Sequence, residues 1–197
     1  MPVYGSVAAL KKRLNIEPAD TSRDDLLTSA LAASSRAIEA ATGRRFWLDP
    51  APTQRVFNPR GRVVRHDDGD LLLVDDIGSV TGLVVEVGSG GSYTPVTDYE
   101  TSPDNALADG RAITGLLRPL GNWGTATTRV RITTRFGWPA DPDDITEASL
   151  IQSTRLFRRK DSPEGVTGSA EWGVMRLSRR DPDVWNLIEP YVLPGFG

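Results

Sequence analysis

Residues Ser22 to Phe46, SRDDLLTSALAASSRAIEAATGRRF, carry both the start and the stop of one helix, and the rest of the chain has to pack around it. Ser22 with Asp25 three residues on has the form of a capping box, Asp standing in for the usual Glu. Asp24 and Asp25 set negative charge at the positive end of the helix dipole. Leu27, Ala30, Leu31, Ser34, Ala37, Ile38 and Ala41 recur at helical spacing and predict one narrow face of small residues, which another helix can approach closely. Gly43 suits the left-handed position just past the last turn. Ahead of this helix, Val7, Leu10 and Leu14 share a face and predict a shorter helix over Tyr4 to Leu14, with Pro18 in the connector.

From Asp49 the character changes. Pro50, Pro52 and Pro59 end any helix, and short β runs follow between turn residues up to about Phe136. Leu71 to Val74, Leu83 to Val87, Tyr93 to Tyr99 and Ile113 to Leu117 are candidate strands, with GSGGS (Gly88 to Ser92) as a hairpin turn. The clearest strand is Thr127 to Phe136. Thr128, Val130, Ile132, Thr134 and Phe136 point one way, and Arg129, Arg131, Thr133 and Arg135 the other. That alternation predicts an antiparallel strand with one solvated or partner-facing side.

After the Gly137-Trp138-Pro139 exit, Asp141 and Pro142 read as the cap and first position of a long third helix. Asp143, Asp144 and Glu147 lie at its front, and Arg155, Arg158, Arg159 and Lys160 at its back, both in accord with the dipole. Asp181-Pro182 repeats that start for a short helix through Glu189. The expected fold class is α+β: a helical core of two N-terminal helices, a long third helix and a short C-terminal helix, with an inserted antiparallel β module. The expected parts are 1–48, 49–136 and 137–197.

The chain holds 23 basic and 26 acidic residues, a formal net charge of −3, so wrapping nucleic acid is not its expected main task. It has no cysteine, which removes disulfides, thiol nucleophiles and thiolate metal sites. No apolar run is long enough to span a membrane, and no basic-then-apolar signal pattern opens the chain.

Catalytic chemistry finds little support. His66 is the one histidine, in HDDGD beside Asp67, Asp68 and Asp70, and a polar hairpin turn explains that stretch. It lacks calcium-loop spacing, and GSGGS has no following Lys-Ser/Thr to make a phosphate loop. Asp75-Asp76 reads as a strand end. No catalytic residue, metal ligand or cofactor site is expected.

The segment after the third helix is different. Trp172, Met175, Trp185, Tyr191 and Phe196 lie in a proline-broken, glycine-rich stretch, and they either cap the chain's own core or anchor another chain. Arg155, Arg158 and Arg159 are candidates for contact with DNA or a neighbouring subunit.

Three stretches taken together resemble the tailed-phage head-to-tail connector, or adaptor, family. They are the acid-capped Ala-rich helix ending in TGRRF, Thr42 to Phe46; the strand, exit and helix ITTRFGWPADPDDITEASLIQSTRLFRR, Ile132 to Arg159; and the closing DPDVWNLIEPY, Asp181 to Tyr191. The simplest members join these helices by shorter segments, so the β stretch is an addition. The resemblance implies a non-enzymatic virion protein assembled in the bacterial cytoplasm. It would form a homo-oligomeric ring of about twelve copies that closes through head-to-tail contacts. Its implied partners are the portal protein on one side and a tail-side neck or terminator protein on the other, with genomic DNA passing through the channel without sequence-specific binding. Rival readings are another neck or tail-completion protein, a carboxylate hydrolase using Asp67 and Asp70, and a DNA-binding module using Arg155, Arg158 and Arg159.

Overall fold

The structure, a computed structural model, describes residues 2–159, 166–167, 175–176 and 181–193. The chain divides into two compact units, one formed by residues 1–44 with 141–197 and the other by residues 45–140.

The first unit is helical. Helix α1 (Val7–Leu14) is capped by the Ser6 hydroxyl, which accepts from the Ala9 amide, and it ends on Asn15 in the left-handed region. Helix α2 (Asp24–Thr42) stops at Gly43, whose φ of 69° is the left-handed exit expected from the sequence. Helix α3 is Asp143–Arg158 and helix α4 is Pro182–Ile188, followed by a 3-10 turn, Glu189–Tyr191. Leu10, Leu27, Ala30, Leu31, Leu150 and Phe157 form the core shared by α1, α2 and α3. Tyr4 is fully buried and ties the N-terminal segment to α2: its amide donates to Ser35 Oγ at 3.0 Å and its hydroxyl to Glu39 at 2.6 Å.

Three local expectations are corrected here. The Ser22 capping box does not form. The Ser22 hydroxyl donates to Asp20 at 2.5 Å, and Arg23 is an N-cap with no side-chain hydrogen bond. Asp141 does not cap α3, whose N-cap is Pro142. The buried face of α2 is rotated from the one predicted: Ser35 and Thr42 lie inside, while Ala37 and Ala41 are exposed. The two buried hydroxyls reach back to the carbonyls four residues earlier, at 2.8 and 2.9 Å, so their polarity is satisfied without water.

The second unit is built on a seven-stranded antiparallel sheet. Its strands are β1 (Thr53–Phe57), β2 (Val63–His66), β3 (Gly69–Ser89), β4 (Ser92–Pro95), β5 (Glu100–Ser102), β6 (Ile113–Arg118) and β7 (Arg129–Phe136). The path runs β1-β7-β3-β6-β5, with β2 and β4 also paired to β3. The first half of β3 pairs with β6 and the second half with β7, and the register shifts three times between Leu73 and Val84 as it changes neighbour. The core gathers residues from both halves: Phe57, Leu72, Ile77, Val85, Ile113, Leu116, Trp123, Val130, Ile132 and Phe136. Along β7 buried and half-buried residues alternate without a break, as its sequence predicts.

The expected fold class is therefore corrected. The α+β class holds, but a helical core carrying a β insertion is not what the chain forms. Helices α1 and α4 span only 8 and 7 residues, and the longest element is the 21-residue strand β3 in a sheet with its own extensive core. The physical reason is that Asp75-Asp76 reads as a strand end, whereas in the fold both residues lie within one continuous strand, where its register against β6 shifts.

Candidate functional site

With no catalytic grouping expected, the site of interest is the surface that would meet other chains, beginning with the closing segment. Asp181 caps α4, its carboxylate accepting from the Asp183 amide at 2.9 Å, with Pro182 at the first helical position as its sequence suggests. The same carboxylate meets Arg155 Nη1 of α3 at 3.1 Å. Val184 and Ile188 are buried, and Trp185 is half-buried. Past the 3-10 turn, Arg44 donates to the Tyr191 carbonyl at 2.7 Å, and the Leu193 amide donates to the Thr42 carbonyl at 2.9 Å. The Tyr191 hydroxyl donates to Asp144 at 3.2 Å. Burial, then the nearby Asp144 charge, push the Tyr191 phenol above its ordinary value.

Residues 181–193 are thus fastened at both ends to α2 and α3 of their own unit. Of the five aromatic and methionine candidates, Trp185 and Tyr191 are partly covered within the protomer. Met175 lies in a two-stranded pair, β8 (Val166–Thr167) with β9 (Met175–Arg176). Trp172 and Phe196, and the side chain of Met175, lie outside the described residues. Among the basic candidates, Arg155 is engaged by Asp181, while Arg158 and Arg159 are exposed at the end of α3.

The arginine side of β7 serves its own chain. Arg131 makes a two-pronged ion pair with Glu86 at 2.6 and 2.7 Å and lies 4.2 Å from the Tyr93 ring centroid. Arg135 donates to the Asp49 carbonyl at 2.7 Å, and Arg129 to the Thr128 carbonyl at 2.8 Å. The carboxylates are similarly placed. Asp75 pairs with Arg55 at 2.7 Å, Asp76 accepts from the Trp138 indole at 3.0 Å, and Asp67 and Asp68 form the exposed turn between β2 and β3. Among the described residues no group of three or more His, Cys, Asp or Glu is arranged to hold a metal ion. Also among them, no helix is long and apolar enough to cross a membrane.

The sequence reading missed two surface features. Leu120 projects from the loop after β6 with a relative exposure of 107%. An open groove of about 650 Å³ lies at the end of α1, with Val7, Ala8, Ile16 and Pro18 among its walls. Neither has a periodic signature; the only hint was an apolar residue inside the turn-rich PLGNWG.

No protein-family model and no curated protein sequence matches this chain. Solved structures do share its fold. One is a chain in the neck of an empty gene transfer agent particle computed with C6 symmetry, 21% identical, with a TM-score of 0.56 over 98% of this chain and 92% of that one. Another is a chain in the virion of a native gene transfer agent particle, 21% identical, with a TM-score of 0.55 over 100% of this chain and 95% of that one.

Proposed function

We propose that this chain is a virion structural protein of the neck of a phage-like particle, a head-to-tail connector without catalysis. The observation that carries this is the fold likeness to a neck chain over nearly the full length of both chains. The sequence supports it independently through TGRRF, the strand–exit–helix stretch ending in RLFRR, and the closing DPDVWNLIEPY.

In this reading copies form a closed ring of about twelve through head-to-tail contacts. The portal lies on one side and a tail-side neck or terminator protein on the other. Trp172, Met175, Trp185, Tyr191 and Phe196 contribute to subunit or portal contacts, and Arg158 and Arg159 face the DNA channel or a neighbour. Arg155 acts with them by holding the closing segment through Asp181. A mild net charge of −3 suits a channel that lets DNA slide without gripping it.

The test is to delete the gene in a producing strain and image the particles. DNA-filled heads without attached tails, restored by the gene in trans, are expected. Normal tailed particles, or the protein located beyond the neck by cryo-electron microscopy, would overturn the reading. The second outcome would favour a tail-completion or terminator role.

A further inference from the structure

We propose that strand β9 of one copy adds to the free edge of strand β1 on a second copy, extending that copy's sheet by a hairpin. This contact rests on the ring reading and names the surfaces that join one copy to the next.

The hairpin lacks a neighbour. β8 and β9 pair with each other, Val166 with Arg176 and Thr167 with Met175, and form a sheet of their own. Two strands this short are marginal in water, and a third strand is what makes such a pair stable. Among the described residues neither strand pairs with the seven-stranded sheet of the same chain, so the third strand comes from another molecule. β9 is the side open to it. No proline occurs from Glu164 to Asp181, so the backbone through β9 keeps all its donors, whereas Pro163 stands three residues ahead of β8.

Among the described residues, β1, β2, β4 and β5 each have a strand on one side only. Three of these edges are guarded. β4 closes on Pro95. β5 has three residues, with exposed Glu100 at its start and Pro103 after its end. β2 carries Arg65, whose side chain is 89% exposed. Charge, proline and short length are the means by which natural sheets keep their edges from pairing with other chains. β1 has none of them. It is five residues long, and its one charge, Arg55, lies 4.0 Å from the Phe136 ring centroid and pairs with Asp75 at 2.7 Å.

The surface beside β1 is apolar where a solvated sheet face is ordinarily polar. Val56 of β1 is 53% exposed and Val84 of β3 46%. Both lie on the outer face, because Arg131 stands across from Val56, and Thr133 across from Gln54 and Val84. A strand laid along β1 gives Val56 a cross-strand neighbour and satisfies the outward amides and carbonyls of Thr53–Phe57. Hairpin and edge are different surfaces, so the contact is head-to-tail and repeats from copy to copy.

The natural absence of cysteine makes a direct test possible. Val56→Cys protein is mixed at high concentration with Met175→Cys or Arg176→Cys protein and oxidised. At least one mixture is expected to give a disulfide between the two different variants, well in excess of the homodimers each variant forms alone. No excess in either mixture overturns the contact. Equal cross-linking of Val56→Cys alone also overturns it, because β1 would then pair with β1. A disulfide closed within one chain in the Val56→Cys/Arg176→Cys double variant at low concentration does the same. In parallel, Val56→Lys places a guarding charge on the edge. It is expected to raise the concentration needed for self-association at least about tenfold while leaving the melting temperature unchanged. Unchanged association of this variant sinks the strand contact while leaving the ring standing. The ring itself is read separately, from the mass of wild-type protein alone and on portal-bearing heads.

Discussion

Arg44 donates its Nε–H to the backbone carbonyl of Tyr191 at 2.7 Å, so the residue that follows the α2 exit holds the end of the closing segment. Arg44→Ala removes that donor and leaves the Leu193–Thr42 bond as the nearby backbone tie. Faster amide exchange across residues 182–193 is expected, with a loss of about 1 kcal/mol in overall stability. Exchange unchanged in α4 and the 3-10 turn would show that the arginine does not hold this segment.

Two serines between α2 and α3 should respond in opposite ways. Ser34 is fully buried and donates to the Ser149 carbonyl at 2.8 Å, so Ser34→Ala should cost about 1 kcal/mol. The Ser149 hydroxyl oxygen is buried without a hydrogen-bond partner, so Ser149→Ala should be neutral or stabilising by up to about 1 kcal/mol. Chemical denaturation of the two variants checks the contrast; equal losses would contradict it.

Gly137 has φ of 110°, and a Cβ there would stand 2.0 Å from the Trp47 carbonyl oxygen. No flexible side chain can yield to relieve that clash, because the neighbour is backbone. Gly137→Ala is expected to lose more than about 2 kcal/mol or to fail to fold, read by melting temperature and soluble yield. A variant as stable as the parent would mean the strand exit is not built as described.

The Glu86 carboxyl is held below its usual value of 4.5 chiefly by hydrogen bonds from Arg131, which outweigh the opposing desolvation; the Arg131 charge adds a smaller lowering effect. A depressed carboxylate contributes stability that is present above the unfolded value and lost as pH falls through the folded one. The loss therefore begins below about pH 4.5 and continues downward. Glu86→Gln should be less stable than the parent at neutral pH, with the gap closing in acid. The pair is solvent-accessible, so the gap should also shrink in high salt. Melting temperatures across that range test it, and a gap that widens in acid would refute the assignment.

Legibility in the sequence followed burial. Strand β7 is half-buried along its length, so its pattern and its fold agree residue by residue. The Asp181-Pro182 start, the Gly43 exit and the two hairpin turns were legible because each depends on local backbone chemistry. The continuity of β3 was not, because a strand that changes neighbours needs Gly and Asp at its bends, and these are the same residues that end strands elsewhere. The α2 face was misplaced because buried Ser35 and Thr42 satisfy themselves on their own helix, which composition does not reveal. Leu120 went unremarked because a lone exposed leucine follows no period.

The pairing of β1 with β7 and of α2 with α3 joins segments far apart along the chain. During synthesis the partner of each early element leaves the ribosome only after most of the chain has been made. Until Phe136 emerges, Thr53–Phe57 is a strand without its sheet, and until Leu150 and Phe157 emerge, Leu27 and Leu31 have only the α1 side of their core. Folding of both units is thereby held back to the final third of translation, and nascent chains stalled before that point should be the ones that aggregate or recruit chaperones.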